Sequence, residues 1–136
     1  MITNQTKEHS IIQTKKEGCI DLTYLNQCTK SKPALMIEMM SLYLAQTPPL
    51  ITAMRQSLQN QDWALLKQAV HKMIPSFTIV GINPDFEKMA RNVHVYASTQ
   101  QHIDELPAMV YQLETVCLQA CKELEEEISN IKQTNQ

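Results

Sequence analysis

The sequence predicts an all-α protein, an up-and-down antiparallel four-helix bundle with a short N-terminal capping helix. Apolar residues recur three and four positions apart in successive segments, which is the spacing of one helix face. No window shows the strict alternation of apolar and polar residues that a half-buried strand requires. The 136 residues include only two glycines, and helix-start residues precede the apolar segments.

The N-terminal part of the chain is expected to hold a polar arm and a short helix. Residues 1–18 are polar and lack periodicity, and they are interpreted as either a frayed arm or a short docking helix. Asp21 is a good N-cap for a short helix through Leu25. Ser31 followed by Pro33 is a typical start for the next helix. That helix has apolar residues at helical spacing: Leu35, Met36, Met39, Met40 and Tyr43.

Proline interrupts two of the periodic segments. Thr47, Pro48 and Pro49 predict a bend or a fresh helix start, because proline cannot donate a backbone hydrogen bond. The apolar period resumes at once through Leu50, Ile51, Met54 and Leu58. Pro75 either ends a helix at Ile74 or kinks it, and we favour a continuous kinked helix because the apolar stripe persists beyond it. That stripe is Trp63, Leu66, Ala69, Val70, Met73, Phe77 and Val80.

The remaining helix boundaries have clear signals. Asp62 is expected to cap the helix that contains Pro75, and Gly81 to close it. Asn83 and Pro84 then start the next helix, with an apolar stripe at Phe86, Met89, Ala90, Val93 and Ala97. The longest apolar seam follows at Ile103, Leu106, Val110, Leu113, Cys117, Ala120, Leu124, Ile128 and Ile131. We therefore expect a bundle domain over residues 19–131 and a polar tail over residues 132–136.

Composition narrows the classes of function. A formal net charge of −2 offers no broad basic surface, so nucleic acid is not an expected partner. We find no signal peptide and no membrane-spanning apolar stretch, and we expect a cytoplasmic monomer. Cys117 and Cys121 lie on or beside the apolar seam and are interpreted as core residues. The alternative, an enzyme or metal protein that uses these thiols with a histidine, is not favoured, and no metal is expected.

His71 is the residue most suggestive of chemistry. Helical geometry places it roughly 140° from the centre of the apolar stripe, on the face turned to water. Ala64 and Thr78 are nearly in line with it and project little, and Lys67 supplies positive charge one turn away. His94 is instead expected to be a packed or half-buried residue beside the stripe of its helix. We therefore predict that His71 reacts with a group that docks on this face.

The sequence around His71 resembles the histidine-containing phosphotransfer (HPt) domains of bacterial multistep phosphorelays. The resemblance covers roughly residues 20–128. It includes the segments Ile20-Asp21-Leu22-Thr23-Tyr24-Leu25 and Gln61-Asp62-Trp63, the small Ser76, and Gly81 ten positions after His71. The family pattern usually has lysine three residues after the histidine and glycine four after, where this chain has Ile74 and Pro75.

The resemblance implies a phosphocarrier without kinase or phosphatase activity of its own. His71 would accept a phosphoryl group from the aspartate of one receiver domain, of a response regulator or hybrid histidine kinase, and pass it to another receiver. Lys67, Lys72 and Gln68 would support the phosphoryl group, and Ala64, Ile74, Pro75 and Thr78 would dock the receiver. Magnesium is expected on the receiver and no cofactor on this chain. The alternative is an HPt-like binding module that docks receivers or kinases without carrying phosphate.

Overall fold

The computed structural model describes residues 18–134 as a helical protein. Among these residues there are five α-helices, one short 3-10 turn and no strand, so the predicted all-α class is confirmed. In chain order the elements are α1 (Thr23–Thr29), α2 (Pro33–Gln59), α3 (Trp63–Val80), α4 (Pro84–Thr99), the 3-10 turn (Ile103–Glu105) and α5 (Leu106–Thr134). Residues 1–17 and 135–136, which include most of the predicted arm and the end of the predicted tail, lie outside the described residues.

The four long helices pack around one core, as a bundle requires. Helix α2 packs against α3 and α5, and α4 packs against the same two helices. Short α1 contacts both α2 and α3 and lies at one end of the bundle. The core takes its largest fully buried side chains from each helix: Leu25, Met40, Met54, Leu66, Met73, Phe77, Val93, Leu106, Leu113 and Leu124.

Both helices that the sequence predicts to be interrupted at proline are continuous. Helix α2 runs through Pro48 and Pro49, so the fresh start considered there is wrong. Thr47 does not cap a new helix, because it is a buried residue of the same helix and lies one turn from buried Ile51. Helix α3 runs through Pro75, as favoured from its unbroken apolar stripe. In both helices the stabilisation that comes from packing the inner face is larger than the cost of the backbone hydrogen bonds that proline removes.

The caps that flank α3 and α4 follow the sequence signals. The Asp62 carboxylate accepts a hydrogen bond from the Leu65 N–H at 3.2 Å, and Asn83 accepts one from the Asp85 N–H at 2.8 Å. Gly81 ends α3 in the left-handed backbone region with φ +70°. These three residues fix both ends of α3 and the start of α4.

The starts of α1 and α2 differ from expectation. Leu22 occupies the cap position of α1, although the Asp21 carboxylate still accepts a hydrogen bond from the Thr23 N–H at 3.0 Å. Lys32 occupies the cap position of α2 without a side-chain hydrogen bond, and Pro33 takes the first helical position. Ser31 is in the left-handed region with φ 57° and does not cap the helix.

The segment that precedes α1 crosses the end of the bundle and is tied to two helices. The Glu123 carboxylate on α5 accepts hydrogen bonds from the N–H groups of Cys19, at 2.9 and 3.0 Å, and of Ile20, at 3.2 Å. The Asp21 N–H donates to the carbonyl oxygen of Val80 at 3.0 Å. A Cβ atom built on Gly81 would lie 1.9 Å from the Asp21 carbonyl oxygen. Only glycine allows this close approach.

The last helix is displaced toward the C-terminus relative to the predicted seam, because Ile103–Glu105 forms a 3-10 turn and α5 begins at Leu106. Helix α5 continues to Thr134, so residues 132–134 of the predicted tail are helical. Within residues 18–134 no helix combines the length and the apolar character needed to cross a membrane.

We expect Gly81→Ala to destabilise the protein by more than the cost of left-handed backbone alone, which is about 1 to 2 kcal/mol. The added Cβ must also push away the Asp21 backbone and weaken its hydrogen bond to Val80. Urea unfolding measures the loss. Gly81→Asn is the matched control, because asparagine tolerates positive φ but brings the same Cβ. If Gly81→Asn were as stable as the wild type, the close approach to Asp21 would not be the constraint.

Candidate functional site

His71 is exposed on the outer face of α3. The opposite face of this helix is buried, because Val70, Met73 and Phe77 are at most 1% exposed. These residues fix the rotation of α3 about its axis, and that rotation turns position 71 to solvent. The exposure predicted for His71 is therefore present in the structure.

Ile74 does not belong to the exposed docking surface on which it was expected. Its side chain is only 8% exposed and belongs to the core. The reason is helical spacing, since Val70, Ile74 and Phe77 share the inner face with Met73 at positions i, i+3, i+4 and i+7. The apolar stripe of α3 is thus wider than the one read from the sequence. Position 74, at which HPt domains usually have lysine, therefore supplies no charge and very little accessible surface.

The other residues predicted around His71 remain accessible. Ala64, Gln68, Pro75 and Thr78 are exposed on α3, and Lys72 is exposed beside His71 in sequence. Lys67 is partly buried and lies one helical turn before His71. Pro75 has no N–H to donate to the His71 carbonyl, yet α3 is continuous at that point. The exposed imidazole of His71 is therefore flanked on α3 by side chains that project little and by two lysines.

His94 is the residue that sequence reasoning did not connect with this face. It lies on α4, is half-buried, and its ring centroid is 5.8 Å from that of His71, with the ring planes inclined by 46°. The expected half-burial is therefore correct, but the two imidazoles face each other across the boundary between α3 and α4. The candidate site is a pair of histidines rather than a single one.

The short turn between α3 and α4 contains a signal that could have revealed the pair. His71 lies ten residues before Gly81, and His94 lies eleven residues after Asn83. In two antiparallel helices joined by a short turn, residues at nearly equal distances from the turn lie side by side. Counting outward from the turn would therefore have placed the two rings at the same level.

The environment of His94 disfavours its charged form. Burial is the largest cause that lowers the pKa of His94 below its ordinary value of 6.5, and the positive charge of Lys67 and the neighbouring His71 lower it further. At neutral pH His94 is therefore predominantly neutral. The site presents two imidazoles and the ammonium group of Lys67, an arrangement suited to a ligand that brings negative charge.

The structure also describes the surroundings of His102 and of the core thiols Cys117 and Cys121. His102 is exposed, packs against Tyr96 with ring centroids 4.9 Å apart, and lies 3.2 Å from the Glu105 carboxylate. Burial raises the pKa of the Cys117 thiol to about 12, so this thiol is a poor nucleophile and a poor metal ligand. Cys121 packs beside it against the core, as predicted. Among residues 18–134, no three histidine, cysteine or acidic side chains are grouped as a metal site.

Comparisons with the models of known protein families, with curated proteins and with solved structures gave no match for this chain. What the protein does is therefore inferred from its own residues and from the geometry around His71.

We expect Lys67→Met to raise the pKa of His94, because the substitution removes a positive charge that opposes protonation of the ring. The rise should be partial, since burial of His94 remains. An NMR titration of the histidine ring protons measures it. Lys72→Met is the matched control, because Lys72 does not contribute to the shift of His94. A fall in the pKa of His94 in Lys67→Met would contradict the described placement of Lys67.

Proposed function

We propose that the protein is a phosphorelay intermediate that accepts a phosphoryl group on His71 from a receiver-domain aspartate and passes it to another receiver aspartate. The observation on which this depends most is the exposure of His71 on the outer face of a four-helix bundle. Packing does not explain a histidine at this position, since the inner face of α3 is complete without it. The resemblance of residues 20–128 to HPt domains also supports this proposal.

For phosphoryl transfer from a receiver, this chain needs to supply little more than an accessible nucleophile. A lone pair on an imidazole nitrogen of His71 attacks the phosphorus of the aspartyl phosphate. The N–P bond forms while the P–O bond to the aspartate breaks, and the carboxylate leaves with the electron pair. In the second step the carboxylate of another receiver attacks the same phosphorus, and the electrons of the N–P bond return to His71. Phosphoryl transfer depends mainly on positioning and on neutralising charge, and magnesium is expected on the receiver.

The surroundings of His71 suit the approach of a bulky partner. Ala64, Thr78 and Pro75 are exposed and project little from α3. Each of the two helices that carry the histidine pair also exposes a large apolar side chain, Leu65 on α3 at 51% and Val95 on α4 at 50%. An interface with a receiver would bury such side chains together with the polar residues around them. Lys67 and Lys72 add positive charge where the phosphoryl group would be.

The competing function is an HPt-like binding module that docks receivers or kinases without carrying phosphate. The observation that favours it is the buried Ile74 at the position where the family usually has lysine. The two functions differ in one measurable respect, since a binding module would form complexes with receivers but take up no phosphoryl group.

We expect His71→Gln to abolish the uptake of acid-labile phosphate from a phosphorylated receiver, because glutamine has no nucleophilic ring nitrogen. The measurement is transfer of radiolabelled phosphate from a panel of phosphorylated receiver domains. His102→Gln is the matched control, because it removes another exposed histidine and should leave uptake unchanged. Equal labelling of wild type and His71→Gln would refute the assignment. Receivers that bind the protein but never transfer phosphate to it would favour the binding module.

We expect Lys72→Met to slow this transfer by about 1.4- to 5-fold, since an exposed charge pair contributes roughly 0.2 to 1 kcal/mol. Rapid-quench measurement of transfer from one phosphorylated receiver determines the effect. Lys122→Met removes the same charge from exposed α5 surface, away from the helices that form the site, and is the control. Equal slowing in both variants would indicate that net charge matters and that the position of Lys72 does not.

A further inference from the structure

The second imidazole of the site has no role in the phosphocarrier scheme as stated so far. His94 is only half-buried, and its ring lies beside that of exposed His71. The two rings form a tilted pair, with centroids 5.8 Å apart and planes inclined by 46°, and are not stacked in parallel. An oxygen atom bound to a group on one ring can therefore lie beside the edge of the other.

The charged groups around His94 make its protonation sensitive to what His71 carries. From α3, Lys67 and His71 face it and both disfavour its protonated form. On α4 itself, Arg91 lies one turn before His94, but its guanidinium pairs with the Glu87 carboxylate at 2.7 Å. Helix α5 also packs against α4, and among the described residues it contributes no charge to the shift of His94. In the unmodified site His94 thus faces only groups that oppose its protonation.

We propose that His94 is a positioning residue for the phosphoryl group, and that its protonated ring donates a hydrogen bond to a phosphoryl oxygen once His71 is phosphorylated. This inference rests on the proposed function of His71 as the acceptor. The phosphoryl group brings about two negative charges at neutral pH, which reverses the electrostatic balance at His94. The ring then takes up a proton from the solvent and returns it when the phosphoryl group leaves. His94 in this way supplies the positive charge that buried Ile74 cannot.

With this assignment, the protonation state of His94 changes when His71 is phosphorylated. Before transfer, a neutral His94 adds no positive charge beside the nucleophile. After transfer, the protonated ring and Lys67 both face the phosphoryl oxygens. Charge-assisted hydrogen bonds are stronger than neutral ones, so the pair holds the group in one orientation for the next receiver.

The test uses the full chain phosphorylated on His71 with phosphoramidate, a small phosphoryl donor that needs no receiver. NMR titration then follows the His94 ring protons and the phosphorus signal. We expect the pKa of His94 to move from below its ordinary value of 6.5 to above it on phosphorylation. We also expect the phosphorus signal to shift with pH at the His94 pKa in wild type and in His102→Gln. In His94→Gln that shift should be lost, which a purely structural role of the ring would not cause.

Each result decides the inference. If the pKa of His94 stays below 6.5 after His71 is phosphorylated, or if His94→Gln keeps the same phosphorus titration, His94 does not position the group. In His71→Gln, treatment with the same donor must not raise the pKa of His94 above its value in the untreated variant. If His71 is phosphorylated by the donor and shifts His94 but no receiver labels it, the proposed function fails while the coupling of the two rings stands. If neither the donor nor any phosphorylated receiver labels His71, both proposals are overturned.

Discussion

The packing of the inner face of α3 is the constraint from which the rest of the site follows. Val70, Met73 and Phe77 are at most 1% exposed, and full burial of such side chains contributes roughly 1.5 to 3 kcal/mol each. A rotation of α3 that turned His71 inward would expose these residues and bury an imidazole in their place. The outward direction of His71 is therefore enforced by the hydrophobic core, and it does not depend on any polar interaction at the surface.

The same packing makes the site a property of two helices. Helix α3 fixes His71, and the short turn at Gly81 brings α4 back so that His94 stands at the same level. Lys67 lies one turn before His71 on α3 and is close enough to His94 to lower the pKa of that ring. The electrostatic character of the site is thus set jointly by the apolar stripes of both helices, which determine where each polar side chain can lie.

Most of the fold could be predicted from the sequence, because apolar spacing and caps such as Asp62 and Asn83 are local signals. The exposure of His71 followed from the same spacing. Ile74 was misplaced because a stripe read from its strongest members looked narrower than the face that neighbouring helices cover. The pairing of His71 with His94 was missed because it is a tertiary contact, which depends on how the turn aligns two helices and leaves no periodic pattern within either one.

Both rings of the histidine pair belong to a single helical hairpin whose turn spans only residues 81–83. The contact that defines the site thus joins parts of the chain that are near each other in sequence, and its loop-closure entropy is small. Changes at the distant ends of the bundle, such as fraying of the last turns of α5, would leave the two rings in register. Substitutions on α2 or α5 would likewise leave the contact between the two rings in place.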